Sequence, residues 1–363
     1  MDYTYRMALA ASYAKQAGYC WWQCVVTRLT TLGDAASDFD KSLYFHESWK
    51  AMIWLHVDDG IIAVEDERLL LQLRNELGKS FRLKWEESVN SIVGIDIMRT
   101  NGGYKLRQQR LIESIVETTW DGTPSTKTPL QAKCNLFILR NNEEVTDAKD
   151  YIGVVGALSY VATGTWPDIA YAVNLLARHA ARPGKDHWKC LQHLLGYVHH
   201  TNNLSLCLEP QQSDLQLNVF SDASWGGKFS RSTHGFLAQV NGCSVSWCAK
   251  RLVTIDASSC YAEFMALGMA SRHGKWLKNL LDDMLGMPTP LRLLCDNTST
   301  IQIGMDSASN REFFITNQLL RNGTATLEWI PTAEMRADAM TKSLGSVAHQ
   351  HLKRLILFGG GSG

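Results

Sequence analysis

The sequence predicts a mixed α+β fold that ends in a five-stranded mixed sheet with flanking helices. Three observations support this prediction. Between residues 42 and 64, two apolar runs flank a tight acidic segment, which is typical of a β-hairpin. Between residues 151 and 200, apolar residues recur at helical spacing. From Leu215 onward, the pattern predicts elements in the order βββαβαβα.

Residues 1–120 are expected to form one α+β domain. Periodicity predicts a helix over residues 6–32, followed by Gly33, because glycine commonly stands just beyond a helix C-terminus. The hairpin that follows carries Asp58 and Asp59 at its tip. The later elements are predicted as a helix over 66–80, a strand over 91–98, a second strand after an Asn-Gly-Gly turn, and a helix over 109–119.

Residues 121–213 are expected to be a connector followed by a helical subdomain. The connector, to about residue 146, is rich in Pro, Thr, Asn and Lys and lacks periodicity. Three helices are then predicted over 151–163, 167–181 and 185–200, separated by Trp166-Pro167 and Pro183-Gly184.

Residues 214–358 are expected to form a second α+β domain. Three successive strands are predicted, and Asn241-Gly242 between the second and third is a strong hairpin signal. The later elements are predicted as a long helix over 258–285, a strand over 291–295, one or two helices, a strand over 325–330 and a final helical stretch. The glycine-rich residues 359–363 resemble an artificial linker and are excluded from the fold prediction.

Composition narrows the classes of function. Lys and Arg together number 36, as do Asp and Glu, so the chain has no net positive charge that would attract nucleic acid. Any contact with nucleic acid must therefore come from local patches of basic residues. The nine cysteines form no CxxC pair, which argues against zinc and favours reduced thiols in an intracellular protein, cytoplasmic or nuclear. No apolar run reaches the length of about 18 residues that a membrane span requires, so no membrane partner is expected.

Four acidic residues stand at the junctions of the C-terminal elements. Asp222 ends the first strand, Glu263 lies early in the long helix, Asp296 follows the fourth strand, and Asp338 begins the last helical stretch. Any one of them alone is explained as a turn residue or a helix cap. In this order, strand ends and helix starts can converge on one sheet edge, where four carboxylates would repel one another without cations. The pattern favours two Mg²⁺ or Mn²⁺ ions and hydrolysis of a phosphodiester.

The segments around these acids resemble the ribonuclease H domain of copia-type LTR retrotransposon polyproteins. The similar segments are residues 219–225, 244–247, 258–264, 295–297 and 337–342, which include Phe220-Ser221-Asp222-Ala223, Tyr261-Ala262-Glu263-Phe264, Cys295-Asp296-Asn297 and Ala337-Asp338-Ala339-Met340-Thr341-Lys342. The resemblance implies a ribonuclease H-like fold in which all four acids are catalytic and bind the metal ions. It also implies an RNA-DNA hybrid as the substrate.

The resemblance extends upstream over almost the whole chain. Residues 15–22, 55–59, 128–130, 155–160, 167–171 and 183–185 are similar to the late palm, the thumb and the connection of the same family's reverse transcriptase. The resemblance implies that Asp58 and Asp59 are two of three metal-binding polymerase aspartates, and that the third belongs to a segment before this chain. We therefore expect no polymerase activity from the chain alone.

Local groups of basic residues are the candidates for contacts with the phosphates of a hybrid. These candidates are Lys105, Arg107, Arg110, Lys228, Arg231, Lys250, Arg251, Arg272 and Lys275. Each group also fits an ordinary solvated surface. Asn297 is a candidate for contact with the 2′-hydroxyl group of RNA.

The sequence thus favours an endoribonuclease that cleaves the RNA strand of RNA-DNA hybrids. One alternative is a catalytically idle retroelement fragment that acts as a protein-binding module. Another is a subunit that regains polymerase function with a separate chain carrying the fingers and the first aspartate. A cleavage assay separates the first two hypotheses, and mixing with the complementary fragment tests the third.

Overall fold

The computed structural model describes residues 3–9, 17–46, 50–57, 59–124, 126–132, 134, 136, 147–210, 214–226, 230–253, 255–305 and 314–359. The chain falls into two compact units: the first comprises Met1–Ile97 with Trp276–Pro288, and the second comprises Met98–Lys275 with Thr289–Gly363. The predicted mixed α+β class is confirmed. The domain boundaries predicted from the sequence stay a prediction. No helix in the described ranges is both long enough and apolar enough to cross a membrane.

The described part of the first unit is built around a six-stranded sheet. Its elements are β1 (Tyr3–Leu9), α1 (Ala17–Leu32), β2 (Asp34–Ala36), β3 (Leu43–His46), β4 (Ala51–His56), β5 (Asp59–Val64), α2 (Glu67–Gly78) and β6 (Leu83–Glu86). The strands lie in the order β2-β3-β4-β5-β1-β6, and all neighbouring strands are antiparallel. Ile53 and Ile62 are buried in one core with Leu70, Leu73 and Leu77 of α2, which recur at helical spacing and so form an apolar face.

The predicted helix over residues 6–32 is wrong in its first part. Residues Tyr3–Leu9 form β1, α1 is described over Ala17–Leu32, and residues 10–16 lie outside the described residues. β1 pairs with β5 on one side and with β6 on the other, so its hydrogen-bond partners come from distant parts of the sequence. Local periodicity cannot reveal such partners, and tertiary pairing here overrides the helical pattern.

The predicted acidic hairpin is present as β4 and β5. His56 lies opposite Asp59 in the register, and Val57 in the turn adopts a positive φ of 55°. Asp58, the other predicted residue of the polymerase motif, lies outside the described residues.

The predicted strand over residues 91–98 is interrupted. β7 (Ser91–Ile92) and β8 (Ile95–Thr100) form an antiparallel hairpin, because Val93 and Gly94 adopt positive φ values of 44° and 73° and reverse the chain. After the Asn-Gly-Gly turn, β9 (Gly103–Arg107) pairs with β10 (Leu206–Leu208) from later in the sequence.

The second unit contains a layer of helices. They are α3 (Gln109–Thr119), α4 (Ala148–Gly164), a 3₁₀ turn (Pro167–Ile169), α5 (Ala170–Ala177) and α6 (Lys185–His200). Tyr151, Leu158 and Leu194 are fully buried where these helices meet. The hydroxyl group of Tyr197 donates a hydrogen bond to Asp168 Oδ2 at 2.6 Å, which gives one oxygen of this buried carboxylate a partner. The predicted helix over 185–200 is confirmed, and the one over 167–181 is a 3₁₀ turn followed by a shorter helix.

The second unit also holds a mixed sheet of five described strands. The elements are β11 (Leu217–Ser224), β12 (Thr233–Val240), β13 (Cys243–Arg251), α7 (Ser259–Leu285), of which the residues up to Lys275 belong to this unit, β14 (Leu291–Cys295), α8 (Thr298–Met305), α9 (Phe314–Arg321), β15 (Ala325–Trp329), α10 (Asp338–Thr341) and α11 (Ser346–Leu357). The strand order is β13-β12-β11-β14-β15, with antiparallel pairs among the first three strands and parallel pairs from β11 to β14 and from β14 to β15. This order confirms the predicted ribonuclease H-like sheet.

The hairpin between β12 and β13 forms for the reason that the sequence indicates. Asn241 and Gly242 have φ values of 49° and 85°, and a two-residue turn with positive φ at both positions matches the twist of the flanking strands. Asparagine and glycine are the residues that adopt this conformation at low cost.

The last helices pack tightly on the sheet. A Cβ atom placed on Gly235 of β12 would lie 2.5 Å from Met340 Cβ and 2.7 Å from Thr341 Cγ2, so α10 approaches the strand at a distance that glycine allows. Gln239 and Ser244 donate hydrogen bonds to backbone carbonyls near the C-terminal end of α11, at 2.9 Å and 2.7 Å. These bonds satisfy carbonyl groups that lack partners within the helix.

Candidate metal centre

The elements of the second unit bring the predicted acids together. β11 and β14 are parallel neighbours, so Asp222 near the end of β11 and Asp296 directly after β14 lie at the same end of the sheet. Glu263 lies in the second turn of α7, and Asp338 is the first residue of α10. Asp222 and Asp338 are buried, whereas Glu263 and Asp296 are half-buried.

Asp222, Glu263 and Asp296 form a compact group of carboxylates. Each offers one oxygen atom, and these oxygens lie within 4.8 Å of one another. The backbone N–H of Ala223 donates a hydrogen bond to Glu263 Oε2 at 3.2 Å, and the hydroxyl of Thr332 donates one to Asp296 Oδ2 at 2.7 Å. These donors hold the carboxylates in place while leaving other oxygen lone pairs available for a ligand.

Asp338 is not part of this group but is connected to it through Lys342. The Lys342 Nζ atom lies 2.9 Å from Asp338 Oδ1 and 3.5 Å from Asp222 Oδ2. The hydroxyl of Thr341 donates a hydrogen bond to Asp222 Oδ2. The structure therefore places all four predicted acids in one neighbourhood, with an ammonium group between Asp222 and Asp338.

The electrostatics of the centre are those of crowded anions. Burial raises the pKa of Glu263 to about 9, and the negative charges of Asp222 and Asp296 contribute to the rise. Burial also raises the pKa of Asp338 to about 7, again with a contribution from Asp222. Burial alone would lower the pKa of Lys342, but the neighbouring carboxylates, Asp222 first, raise it above its usual range. Without another cation, the centre retains protons at neutral pH.

This donor set fits a hard divalent cation. All the donors of the compact group are carboxylate oxygens, which Mg²⁺ and Mn²⁺ prefer. Burial, with a contribution from the charges of Asp222 and Asp296, raises the pKa of Glu263, and a bound cation would favour the ionised form of this side chain. Within the described residues, Asp222, Glu263 and Asp296 are the one group of three His, Cys, Asp or Glu side chains close enough to hold one ion.

A polar cavity of about 260 Å³ lies beside the end of β11. Its lining includes Ser224, Arg231, Arg251, Thr233 and Arg178. Arg178 directly follows α5, and its side chain donates a hydrogen bond to Thr233 Oγ1 at 2.9 Å. In the described part of the chain, no carboxylate forms an ion pair with these three arginines. The cavity is therefore suited to an anion.

The other predicted nucleic-acid contacts lie on several elements. Arg107 on β9 donates a hydrogen bond from Nε to Ser205 Oγ at 2.5 Å, and the Asn297 side chain accepts one from the Thr300 N–H of α8 at 3.0 Å. Of the remaining candidates, Lys105 lies on β9, Arg110 on α3, Lys250 on β13, and Arg272 and Lys275 on α7, while Lys228 lies outside the described residues. Whether any of them contacts nucleic acid stays a prediction.

Lys342, Thr341, Thr332 and Arg178 were not predicted as site residues. Lys342 and Thr341 belong to the segment 337–342 that carries the family resemblance, and Lys342 stands four residues after Asp338, one helical turn away. That spacing was a usable signal. Nothing in the sequence indicates that Thr332 or Arg178 reaches the centre or the cavity, because both are brought there by long-range packing.

Comparisons with known proteins identify the family. A family model described as reverse transcriptase (RNA-dependent DNA polymerase) matches residues 2–131. The retrovirus-related Pol polyproteins from transposons RE2 and RE1 of Arabidopsis thaliana are 29% and 28% identical to the chain over 98% of its length. The chain spans 25% of the length of each of these relatives. An uncharacterized mitochondrial protein of Arabidopsis thaliana is 33% identical, and the match covers 61% of the chain and 92% of that protein.

Solved structures with some likeness include ribonucleases H. The N-terminal ribonuclease H domain of rv2228c from Mycobacterium tuberculosis is 14% identical with a TM-score of 0.28, and the match covers 39% of the chain and 98% of that structure. LC11-RNase H1 in complex with an RNA/DNA hybrid is 12% identical with a TM-score of 0.27, over 35% of the chain and 94% of that structure. Its sequence relatives show that the chain belongs to the Pol polyprotein family of copia-type retrotransposons.

Proposed function

We propose that the second unit is a divalent-metal-dependent ribonuclease H that cleaves the RNA strand of an RNA-DNA hybrid. The observation that carries this proposal is the compact group of Asp222, Glu263 and Asp296, whose oxygens lie within 4.8 Å of one another at one end of a ribonuclease H-like sheet. Such a group is expensive to assemble, because each carboxylate raises the free energy of its neighbours' ionised forms. A role in binding cations explains why it exists.

The residues that would hold two Mg²⁺ or Mn²⁺ ions are Asp222, Glu263 and Asp296, with Asp338 completing the second position. When bound, such ions supply charge neutralisation and activation of a water molecule for attack on a phosphodiester. The protein's own groups prepare the centre. Ala223 N–H orients Glu263, and the Thr341 hydroxyl orients Asp222 before any ligand arrives. Preorganised donors of this kind avoid a reorganisation cost during the reaction.

The arginine-lined cavity supports a nucleic acid as the substrate. Arg178, Arg231 and Arg251 converge beside Ser224, two residues after Asp222 on the same strand. Guanidinium groups bind phosphates with good geometry and remain charged at any physiological pH. A backbone phosphate held there would fix the register of the duplex relative to the carboxylates. We propose Asn297 as the contact for the RNA 2′-hydroxyl, which would distinguish RNA from DNA.

A cleavage assay tests the proposal. The purified chain is incubated with a labelled RNA-DNA hybrid and Mg²⁺, beside Asp296→Asn and the control Asp186→Asn. Asp186 is a surface residue of the same unit whose side chain is 85% exposed. We expect the wild-type chain and Asp186→Asn to cleave the RNA strand and Asp296→Asn to lose at least about a hundredfold in rate, because the ion loses a charged ligand.

One outcome of the cleavage assay would contradict the nuclease proposal. If the wild-type chain and Asp296→Asn are equally inert, the nuclease proposal fails and the protein-binding module remains. The same preparations serve to examine the first unit. We propose that the chain alone does not extend a primer, since the family resemblance matches Asp58 and Asp59 to two of the three metal-binding polymerase aspartates and matches no residue of this chain to the third. Measurable primer extension by the chain would contradict this.

A further inference from the structure

Lys342 lies among the carboxylates of the candidate metal centre. Its Nζ atom is 2.9 Å from Asp338 Oδ1 and 3.5 Å from Asp222 Oδ2. We propose that its ammonium group occupies the end of the centre between Asp222 and Asp338 in place of a divalent cation. In the free protein, one divalent ion then binds at Asp222, Glu263 and Asp296, and a second binds strongly only when Lys342 moves away. This inference rests on the proposed function, because it concerns the same centre.

The position of the ammonium group is built into the fold. Asp338 begins the single turn α10 and Lys342 directly follows its last residue, and the ion pair of 2.9 Å between them shows that the two side chains meet. The turn is held against β12 by the close approach at Gly235, and against β11 by the hydrogen bond from Thr341 to Asp222. Two independent contacts of its own segment therefore hold Lys342 beside the carboxylates.

The charges explain why the ammonium group would limit divalent binding. Asp222, Glu263, Asp296 and Asp338 carry four negative charges when all are ionised. Lys342 and one divalent ion together offset three of them. A second divalent ion, with Lys342 still in place, would make the centre positive and would lie within a few ångströms of the ammonium group. Like charges at such distances repel strongly in a partly buried site.

The Lys342 side chain can also move from the centre into solvent. Its side chain is 38% exposed, and four flexible methylene groups connect the ammonium group to the backbone. The arrival of a phosphodiester would add negative charge to the neighbourhood and favour the second ion. Binding of the second ion would thus be coupled to binding of the substrate. Without substrate, the protein would bind one divalent ion strongly rather than two.

The test counts bound ions directly. Mn²⁺ is titrated into the purified full chain without nucleic acid, and free Mn²⁺ is followed by its electron paramagnetic resonance signal. The variants are Lys342→Met, Lys342→Arg and the control Lys189→Met, which removes the same charge from an exposed ion pair of the same unit. We expect one tight and one weak ion in the wild-type chain, in Lys342→Arg and in Lys189→Met. In Lys342→Met, the dissociation constant of the second ion should fall at least about tenfold.

Several results would overturn the inference. It fails if the second ion binds Lys342→Met no more tightly than the wild-type chain, or if Lys189→Met shows the same gain. Lys342→Gln serves in place of Lys342→Met if thermal melting shows that the latter is unfolded. Loss of Mn²⁺ binding in every form would remove the metal centre and the inference together. A tenfold gain in Lys342→Met beside an inert wild-type nuclease would sink the proposed function and keep the inference.

Discussion

Glu263→Gln is expected to stabilise the metal-free protein at neutral pH. Glutamine has nearly the same shape and keeps an oxygen for the hydrogen bond from Ala223 N–H, which is 3.2 Å from Glu263 Oε2. It removes the negative charge that burial and the charges of Asp222 and Asp296 disfavour. A residue retained for binding a cation should cost stability when the cation is absent.

The magnitude follows from the pKa of Glu263. This pKa rises from 4.5 to about 9 on folding, so between these values the unfolded chain releases a proton that the folded chain keeps. Stability therefore falls as the pH rises through this window, by up to about 1.4 kcal/mol per pH unit. Asp338, whose pKa rises from 3.8 to about 7, acts in the same direction at lower pH. Because these acids titrate together, we expect about 2 kcal/mol of stabilisation from Glu263→Gln at pH 7.5 rather than the full sum.

Urea unfolding in EDTA at pH 5.5, 6.5 and 7.5 measures both the stability and its slope with pH. The control is Glu334→Gln, which removes the same charge at an exposed position of the second unit. Glu263→Gln should be more stable than the wild-type chain, with a flatter pH dependence, and should gain less stability when Mg²⁺ replaces EDTA. A destabilised Glu263→Gln, or a slope that equals the wild-type slope, would refute the electrostatic description of the centre.

Two further predictions concern the packing and the cavity. Gly235→Ala should lower stability by about 1–3 kcal/mol and weaken Mg²⁺ stabilisation, because the new Cβ would meet Met340 at 2.5 Å and displace α10. Gly153→Ala, where nothing lies within 4 Å, is the control in the same urea assay, and equal losses in both would contradict the prediction. Arg178→Met should raise KM for the hybrid about tenfold with kcat nearly unchanged and should reduce the salt dependence of binding, whereas Lys189→Met should do neither. A changed kcat with unchanged KM would exclude a phosphate contact at Arg178.

The sequence predicted best the elements whose cause is local. Asn241-Gly242 predicted the hairpin between β12 and β13 because that turn needs positive φ at both positions, and the structure has both. Breakers at Pro183-Gly184 and the apolar periodicity predicted the helix Lys185–His200. By contrast, the helical pattern of the sequence is misleading at β1, because the strands that pair with it, β5 and β6, lie far away in the sequence.

For the candidate site too, the sequence predicts some properties and only the structure shows the others. The identity of Asp222, Glu263, Asp296 and Asp338, and their places at strand ends and helix starts, followed from the sequence and from the family resemblance. The distances among them did not. Only the parallel pairing of β11 with β14 places Asp222 and Asp296 at the same end of the sheet.

By itself, then, the sequence determined which chemistry the chain has available: hard oxygen ligands in a ribonuclease H-like order of elements. The tertiary structure decided that three acids form the compact group, that Lys342 stands between the fourth acid and Asp222, and that Arg178 joins Arg231 and Arg251 at one cavity. The physical reason is that carboxylate repulsion, ion pairing and phosphate binding all depend on separations of a few ångströms. Such separations are set by strand pairing and helix packing between segments that are distant in the sequence.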